Sequence, residues 1–167
     1  MKSIHIEFQH FNTNQENNDV DIICIDKTLF PKVIACTFAY IQVTDNQFNY
    51  NVSVKFEFKE DYSKPAEDDF LFIPETDTLF FRSTHQWGAI DLKNKHLKRH
   101  EWALNFPFLY KEENFVLIHD ELYAESVTFN GDLIDHVPID PPYEMEEFED
   151  RIEYKCEIFG HQILKTR

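Results

Sequence analysis

Thr78-Leu79-Phe80-Phe81, Trp87-Gly88-Ala89-Ile90-Asp91-Leu92 and His96-Leu97-Lys98 form a pattern that returns as Asn114-Phe115-Val116-Leu117, Tyr123-Ala124-Glu125-Ser126-Val127-Thr128-Phe129 and Leu133-Ile134-Asp135. Leu79 falls on Phe115 and Trp87 on Tyr123, each 36 positions on. Ile90 falls on Val127 and Asn94 on Gly131, each 37 on, so the second copy carries one inserted residue. Polar turns, Lys93-Asn94-Lys95 and Asn130-Gly131-Asp132, join the last two runs of each copy. Each copy reads as three short strands with a tight last turn, a β-meander, and the doubled unit runs from Asp77 to Pro138.

The rest of the chain has the same period of two. Ile4, Ile6 and Phe8 alternate with His5, Glu7 and Gln9, the signature of a half-buried strand. Val20, Ile22 and Cys24 continue as a second strand, and the two read as an N-terminal hairpin with a polar loop at 12–18. Leu29-Phe30-Pro31 breaks the pattern. Val33 to Thr44 is a nearly continuous apolar run, suited to a strand covered on both faces; Ala35 and Ala39 also allow a short helix, and the β-branched Val33, Ile34, Thr37, Ile41 and Val43 tilt the choice to strand. Phe48, Tyr50, Val52, Val54, Phe56 and Phe58 alternate with polar residues and form the cleanest strand of all. Phe70 to Ile73 is a further strand, turned into the doubled meander by Pro74-Glu75-Thr76-Asp77. Ala103 to Glu113 reads as a connection between the two copies. Tyr143 to Asp150 places Met145, Phe148 and Ile152 at i, i+3 and i+7, which predicts a helical turn or two. Ile152, Tyr154, Cys156 and Ile158 then alternate as a strand and close a last hairpin with Gln162-Ile163-Leu164.

These readings give one domain over 1–167: N-terminal hairpins at 1–60, the doubled meander at 70–138, and an acidic connector with a C-terminal hairpin at 139–167. The charged, Pro65-bearing segment from Glu60 to Asp69 separates the first two parts. The fold class is all-β, antiparallel meanders forming a sandwich or partly open barrel, with little helix. Phe70 to Val137 resembles hairpins of β-propeller blades in strand spacing and in the positions of Trp87-Gly88 and Asn130-Gly131. A closed propeller needs about four or more blades, so two clear copies imply blade-like hairpins within one domain rather than a propeller.

Composition narrows the chemistry. Seventeen Phe, seven Tyr and two Trp suit sheet surfaces, while three Gly leave no glycine-rich phosphate loop. No GxSxG, HExxH, EF-hand, P-loop or Rossmann pattern occurs, so the expectation is a chain without catalytic residues, cofactor or metal. His96 and His100 share a strand face but stand about 14 Å apart at strand rise, too far to hold one ion. His119-Asp120-Glu121 reads either as an acid–base cluster or as a solvated turn, since Ser83-Thr84-His85 occupies the same place in the first copy. Cys24, Cys36 and Cys156 are an odd set without CxxC spacing, and Cys24 and Cys36 lie in apolar alternation. Free, inert thiols in the cytoplasm are expected. No export signal and no membrane-spanning run is visible in the sequence.

The formal charge is −15, of which residues 111–167 carry −10, from fifteen acids and five bases. Such a field repels nucleic acid and anionic membrane and attracts basic partners. Eight carboxylates lie between Asp132 and Asp150: Asp132, Asp135, Asp140, Glu144, Glu146, Glu147, Glu149 and Asp150. Tyr143, Met145 and Phe148 punctuate them. Carboxylates that steer a basic protein and apolar anchors that hold it make a partner-binding surface; an amphipathic connector capping the core accounts for the same residues.

A small, acidic chain without catalytic motifs resembles, in general type, the immunity proteins of bacterial polymorphic-toxin and contact-dependent inhibition systems. The resemblance implies an antitoxin-like inhibitor that covers the active site of a basic effector, such as a nuclease-type toxin domain. Those proteins share no residue motif, so it transfers no site. Two other readings stand beside it: an assembly module pairing through an edge strand, and a small-ligand or enzymatic β-barrel with a His/aromatic pocket near His85, His119 or His136.

Overall fold

The structure is a computed structural model that describes residues 2–16, 19–25, 35–45, 49–58 and 64–167. The Leu29-Phe30-Pro31 break, the start of the Val33 run, Phe48 and residues 60–63 of the charged segment lie outside the described residues. Among those described the chain is all-β, with one 3₁₀ turn at Glu67–Asp69 and no α-helix. Among the described residues no helix is long and apolar enough to cross a membrane.

The strands form four sheets, none closed into a barrel. The first contains β1 (Ser3–Phe11), β2 (Ile22–Ile25), β3 (Ala35–Thr44) and β4 (Asn49–Phe58), in the order β1-β3-β4-β2. The second runs β5 (Phe70–Ile73), β6 (Thr78–Ser83), β7 (Gln86–Asp91), β8 (His96–Trp102). The third runs β9 (Phe108–Lys111), β10 (Val116–His119), β11 (Tyr123–Val127), β12 (Leu133–Pro138). The fourth has, among the described residues, three strands, β13 (Tyr143–Glu147), β14 (Arg151–Cys156) and β15 (Gly160–Lys165).

Alternation along the middle strands builds three cores from these four sheets. On the second sheet, Leu79, Phe81 and Ile90 face the first sheet and pack with Ile41, Val54 and Phe56. The intervening Phe80, Trp87 and Ala89 face the other way and pack with Val116, Ile118 and Val127 of the third sheet. Leu117 and Ala124 then point onward to Ile152, Tyr154 and Leu164 of the fourth. Successive side chains of a strand take opposite faces, so a strand apolar at every position feeds two cores. The repeat is visible in space as well. Trp87 Nε1 donates to Tyr123 Oη at 3.2 Å, joining the two residues that correspond across the copies. Beside them a half-buried ion pair, Arg99 Nη2 to Glu125 Oε2 at 2.7 Å, crosses between the same sheets, with Arg99 over the Trp87 ring.

Three local expectations are corrected. β1 does not pair with β2: it pairs along nine residues with β3, while β2 lies parallel to β4 at the far edge. The polar loop is too long to enforce a hairpin, and a nine-residue ladder satisfies more backbone groups than a four-residue one. β2 is held instead by Asp21, whose carboxylate accepts from Ser53 N at 2.9 Å and Ser53 Oγ at 3.0 Å. The connection from Ala103 to Glu113 contains a strand, β9, so the third sheet has four strands. Tyr143 to Glu147 is a strand, not a helical turn. Its period of two, with Tyr143, Met145 and Glu147 on one face and Glu144 and Glu146 on the other, prevails because β14 pairs with all five residues. A helical turn would also have crowded five acids.

Gly88 tests the closeness of this packing. A Cβ there would stand 2.5 Å from the buried Phe81 ring and 2.6 Å from the Arg99 carbonyl oxygen. Gly88→Ala should therefore destabilise the chain by about 1–3 kcal/mol, read as a lowered denaturant midpoint at unchanged slope.

Candidate functional site

The third and fourth sheets pack tightly at one end and part at the other. β12 and β11 lie against β15, and the Ser126 hydroxyl bonds to the Lys165 carbonyl. At the opposite end stand the edge strands β9 and β13, and between them the sheets leave a groove. Its three lobes, of about 620, 340 and 260 Å³, run into one another because Glu112 and Glu147 line the first and second, and His119 and Tyr143 the second and third.

The fourth sheet is one strand short of the third, and β13 lies over β10 rather than β9: Tyr143 meets His119 of β10. Among the described residues no strand of the fourth sheet lies over β9, and Phe108 and Tyr110 are 54% and 45% exposed, stacked with ring centroids 6.0 Å apart, with the Arg82 guanidinium 5.5 Å from the Phe108 ring. Strand alternation puts Tyr143, Met145 and Glu147 on the groove face of β13, opposite Tyr110 and Glu112. Phe115, Phe148 and Ile152 continue the apolar floor.

Carboxylates dominate the rim. Glu112, Glu113 and Glu147 have no basic partner among the described residues. Glu149 pairs with Arg167 at 3.1 Å. The neighbouring bases are engaged elsewhere: Arg151 with Glu153 and Asp150, and Lys111 with Glu75. Uncompensated carboxylates in a cleft with low-dielectric walls concentrate negative potential there.

The floor, by contrast, is neutral near pH 7. His119 lies against the rings of Tyr154 and Tyr143, centroids 5.6 and 5.3 Å away, and shares a hydrogen bond with Tyr143 Oη at 3.2 Å. Burial holds its imidazole below the usual 6.5, against the opposing pull of Asp120. Burial likewise raises the Tyr143 and Tyr154 hydroxyls above their ordinary range. Asp120 is occupied structurally, accepting from the backbone N–H of Leu104 at 2.7 Å and Glu121 at 2.8 Å. The arrangement suits recognition of a cationic, partly apolar ligand.

Not all of the acidic segment is drawn together. Tyr143, Met145, Glu147, Phe148 and Glu149 line the groove. Glu144 and Glu146 point to the opposite face of the fourth sheet, with Glu144 3.7 Å from Lys155. Asp150 pairs with Arg151 in the last turn of that hairpin. Asp132 sits in the β11–β12 turn, and Asp135 accepts from Lys165 N at 2.9 Å. Asp140 is buried and binds the backbone N–H groups of Ile158 and Phe159. The sequence reading missed Tyr110, Glu112, Glu113 and Phe115, which lie in or beside the assumed connection. The one signal was the short aromatic run Phe108-Leu109-Tyr110, set between Pro107 and the polar turn at Glu112-Glu113-Asn114.

The histidines do not converge. His85 bonds to the Leu104 carbonyl, His100 to Gln86, and His136 to Glu125. No group of three His, Cys, Asp or Glu among the described residues is placed to hold a metal ion. All three cysteines are free and buried, and burial raises the Cys24 thiol far above its usual range.

No protein-family model matches the sequence, and no curated protein matches it. Among solved structures the chain is similar to Hsv2 of Kluyvelomyces marxianus, at 9% identity over 79% of this chain and 48% of that one, with a TM-score of 0.37. The chain thus spans about half the length of that protein.

The floor makes a prediction about pH. An imidazole with a lowered folded pKa takes up its proton more readily when unfolded, so its neutral form stabilises the fold above pH 6.5 and that stability is lost as pH falls below 6.5. His119→Phe should remove this part of the dependence. Between about pH 8 and pH 5 the wild-type chain should lose stability relative to His119→Phe; a constant difference in denaturation midpoint would show that water reaches the imidazole.

Proposed function

We propose that this chain is a protein-binding inhibitor of the immunity or antitoxin kind, which captures a basic effector by laying the β9–β13 groove over the effector's cationic site. The observation that carries the reading is the set Glu112, Glu113 and Glu147. Three carboxylates without basic partners share one groove with exposed Tyr110, Phe108 and Met145. The negative field speeds encounter with a cationic surface, and the aromatic and Met side chains supply the buried contact that slows release. Desolvated carboxylates without partners are costly, whereas carboxylates meeting Lys or Arg across an interface are not, so the groove favours a basic occupant over a neutral one. A nuclease-type domain, whose substrate groove is cationic, is the effector class this chemistry matches.

The test is capture from the source cell on immobilised chain, followed by assay of the captured protein. The expected partner is basic, its activity falls when the chain is added back, and its association slows at least tenfold between about 0.05 and 0.5 M salt. Glu112→Gln/Glu113→Gln/Glu147→Gln should weaken capture at least tenfold with the fold intact. Undiminished capture by that variant, or a captured protein whose activity is untouched, overturns the proposal.

A further inference from the structure

The groove lies along the open edge of the fourth sheet. Among the described residues the first three sheets have four strands each and the fourth has three, and the unpaired edge of β13 stands beside Phe108 and Tyr110 of β9. The β13 backbone is oriented to pair at that edge. The hairpin bond from Phe148 N to the Arg151 carbonyl fixes the phase of the β13–β14 ladder. Bonded pairs alternate along an antiparallel ladder, so Glu144 and Glu146 bond to β14, and the N–H and C=O groups of Tyr143, Met145 and Glu147 point to the open edge. The same three residues carry their side chains on the groove face. We infer that the groove takes an extended segment of the partner, with Lys or Arg at alternate positions, which adds to β13 as the fourth strand of that sheet.

Each part of such a segment meets a matching part of the groove. Its backbone pairs with the open groups of Tyr143, Met145 and Glu147. Its inward residues reach Glu112 and Glu147 across the cleft, and their aliphatic stems cover Tyr110 and Phe108. Five residues of β13 offer a ladder about 17 Å long. The charge on the edge chooses among occupants. β13 carries Glu144, Glu146 and Glu147, so a second copy laid along it would set like charges against each other. A basic strand brings the opposite charge.

This inference rests on the proposed function, and its test separates the two. The probe is a synthetic peptide of about eight residues with Lys and Val alternating, long enough to cover β13. It is compared with two versions N-methylated at alternate residues, one for each phase, which keep the charge but block backbone pairing. Titration into the full chain should show salt-sensitive binding of the unmodified peptide, at least tenfold weaker binding for one methylated phase, and at least tenfold slower hydrogen exchange at the amides of Tyr143, Met145 and Glu147. Met145→Pro should weaken the peptide at least tenfold more than Met145→Ala, which removes only the side-chain contact, because a proline whose nitrogen faces an open edge blocks pairing there and leaves the β14 ladder intact. Equal binding of all three peptides, or unchanged exchange at β13, overturns the added strand and leaves charge-driven capture of the effector standing. Self-association of the chain that protects the β13 amides without peptide also overturns it, by making a second copy the occupant. Failure of effector capture to respond to the Glu→Gln changes is the separate failure of the function itself.

Discussion

The structure depends on burying both faces of its two middle sheets. A single sheet with one apolar face needs one partner, but β6 and β7 are apolar on both sides and need two. Leu79 and Phe81 satisfy one side against the first sheet, and Phe80 and Trp87 the other against the third. Each fully buried large side chain contributes about 1.5–3 kcal/mol of hydrophobic stabilisation, so the two cores together anchor the molecule. Close approach follows from the same demand. Gly88 leaves room for the Phe81 ring, and Gly131, at φ 85°, lets its turn come within reach of Ala89.

A stack built this way has two ends. At its first end, Ile4, Ile6 and Phe8 pack inward while His5 and Glu7 face out. At its other end, the fourth sheet approaches the third most closely at β15. Away from β15, aromatic side chains of β9 are exposed and a row of backbone groups on β13 is open. Exposed aromatic surface and an open sheet edge are ordinarily liabilities, and negative charge along that edge restrains pairing between copies. In the proposed function, that charge selects a partner of opposite sign. Packing, edge geometry and electrostatics thus converge on one groove, with a floor whose tyrosines and imidazole remain neutral.

Much of this was legible in the chain. The doubled pattern of residues 77–138 located β6 to β8 and β10 to β12, because period-two alternation is a local property of a strand. The acid-rich final third named half of the groove: Tyr143, Met145, Glu147, Phe148 and Glu149. The helical spacing of Met145, Phe148 and Ile152 misled because three apolar residues fit either period, and pairing with β14 decides between them. β9 was missed because a four-residue run between Pro107 and Glu112 carries little periodicity of its own.

The sequence by itself determined the fold class, the alternation that serves two cores, and the excess of negative charge. Only the tertiary structure decided which carboxylates lie together. Asp140 turned inward to bind backbone N–H groups, Glu144 and Glu146 turned to the far face, and Glu112 and Glu113 came from a distant hairpin to meet Glu147. Strand alternation is set within a few residues of chain, whereas the meeting of β9 with β13 is set by how two sheets splay around a shared core.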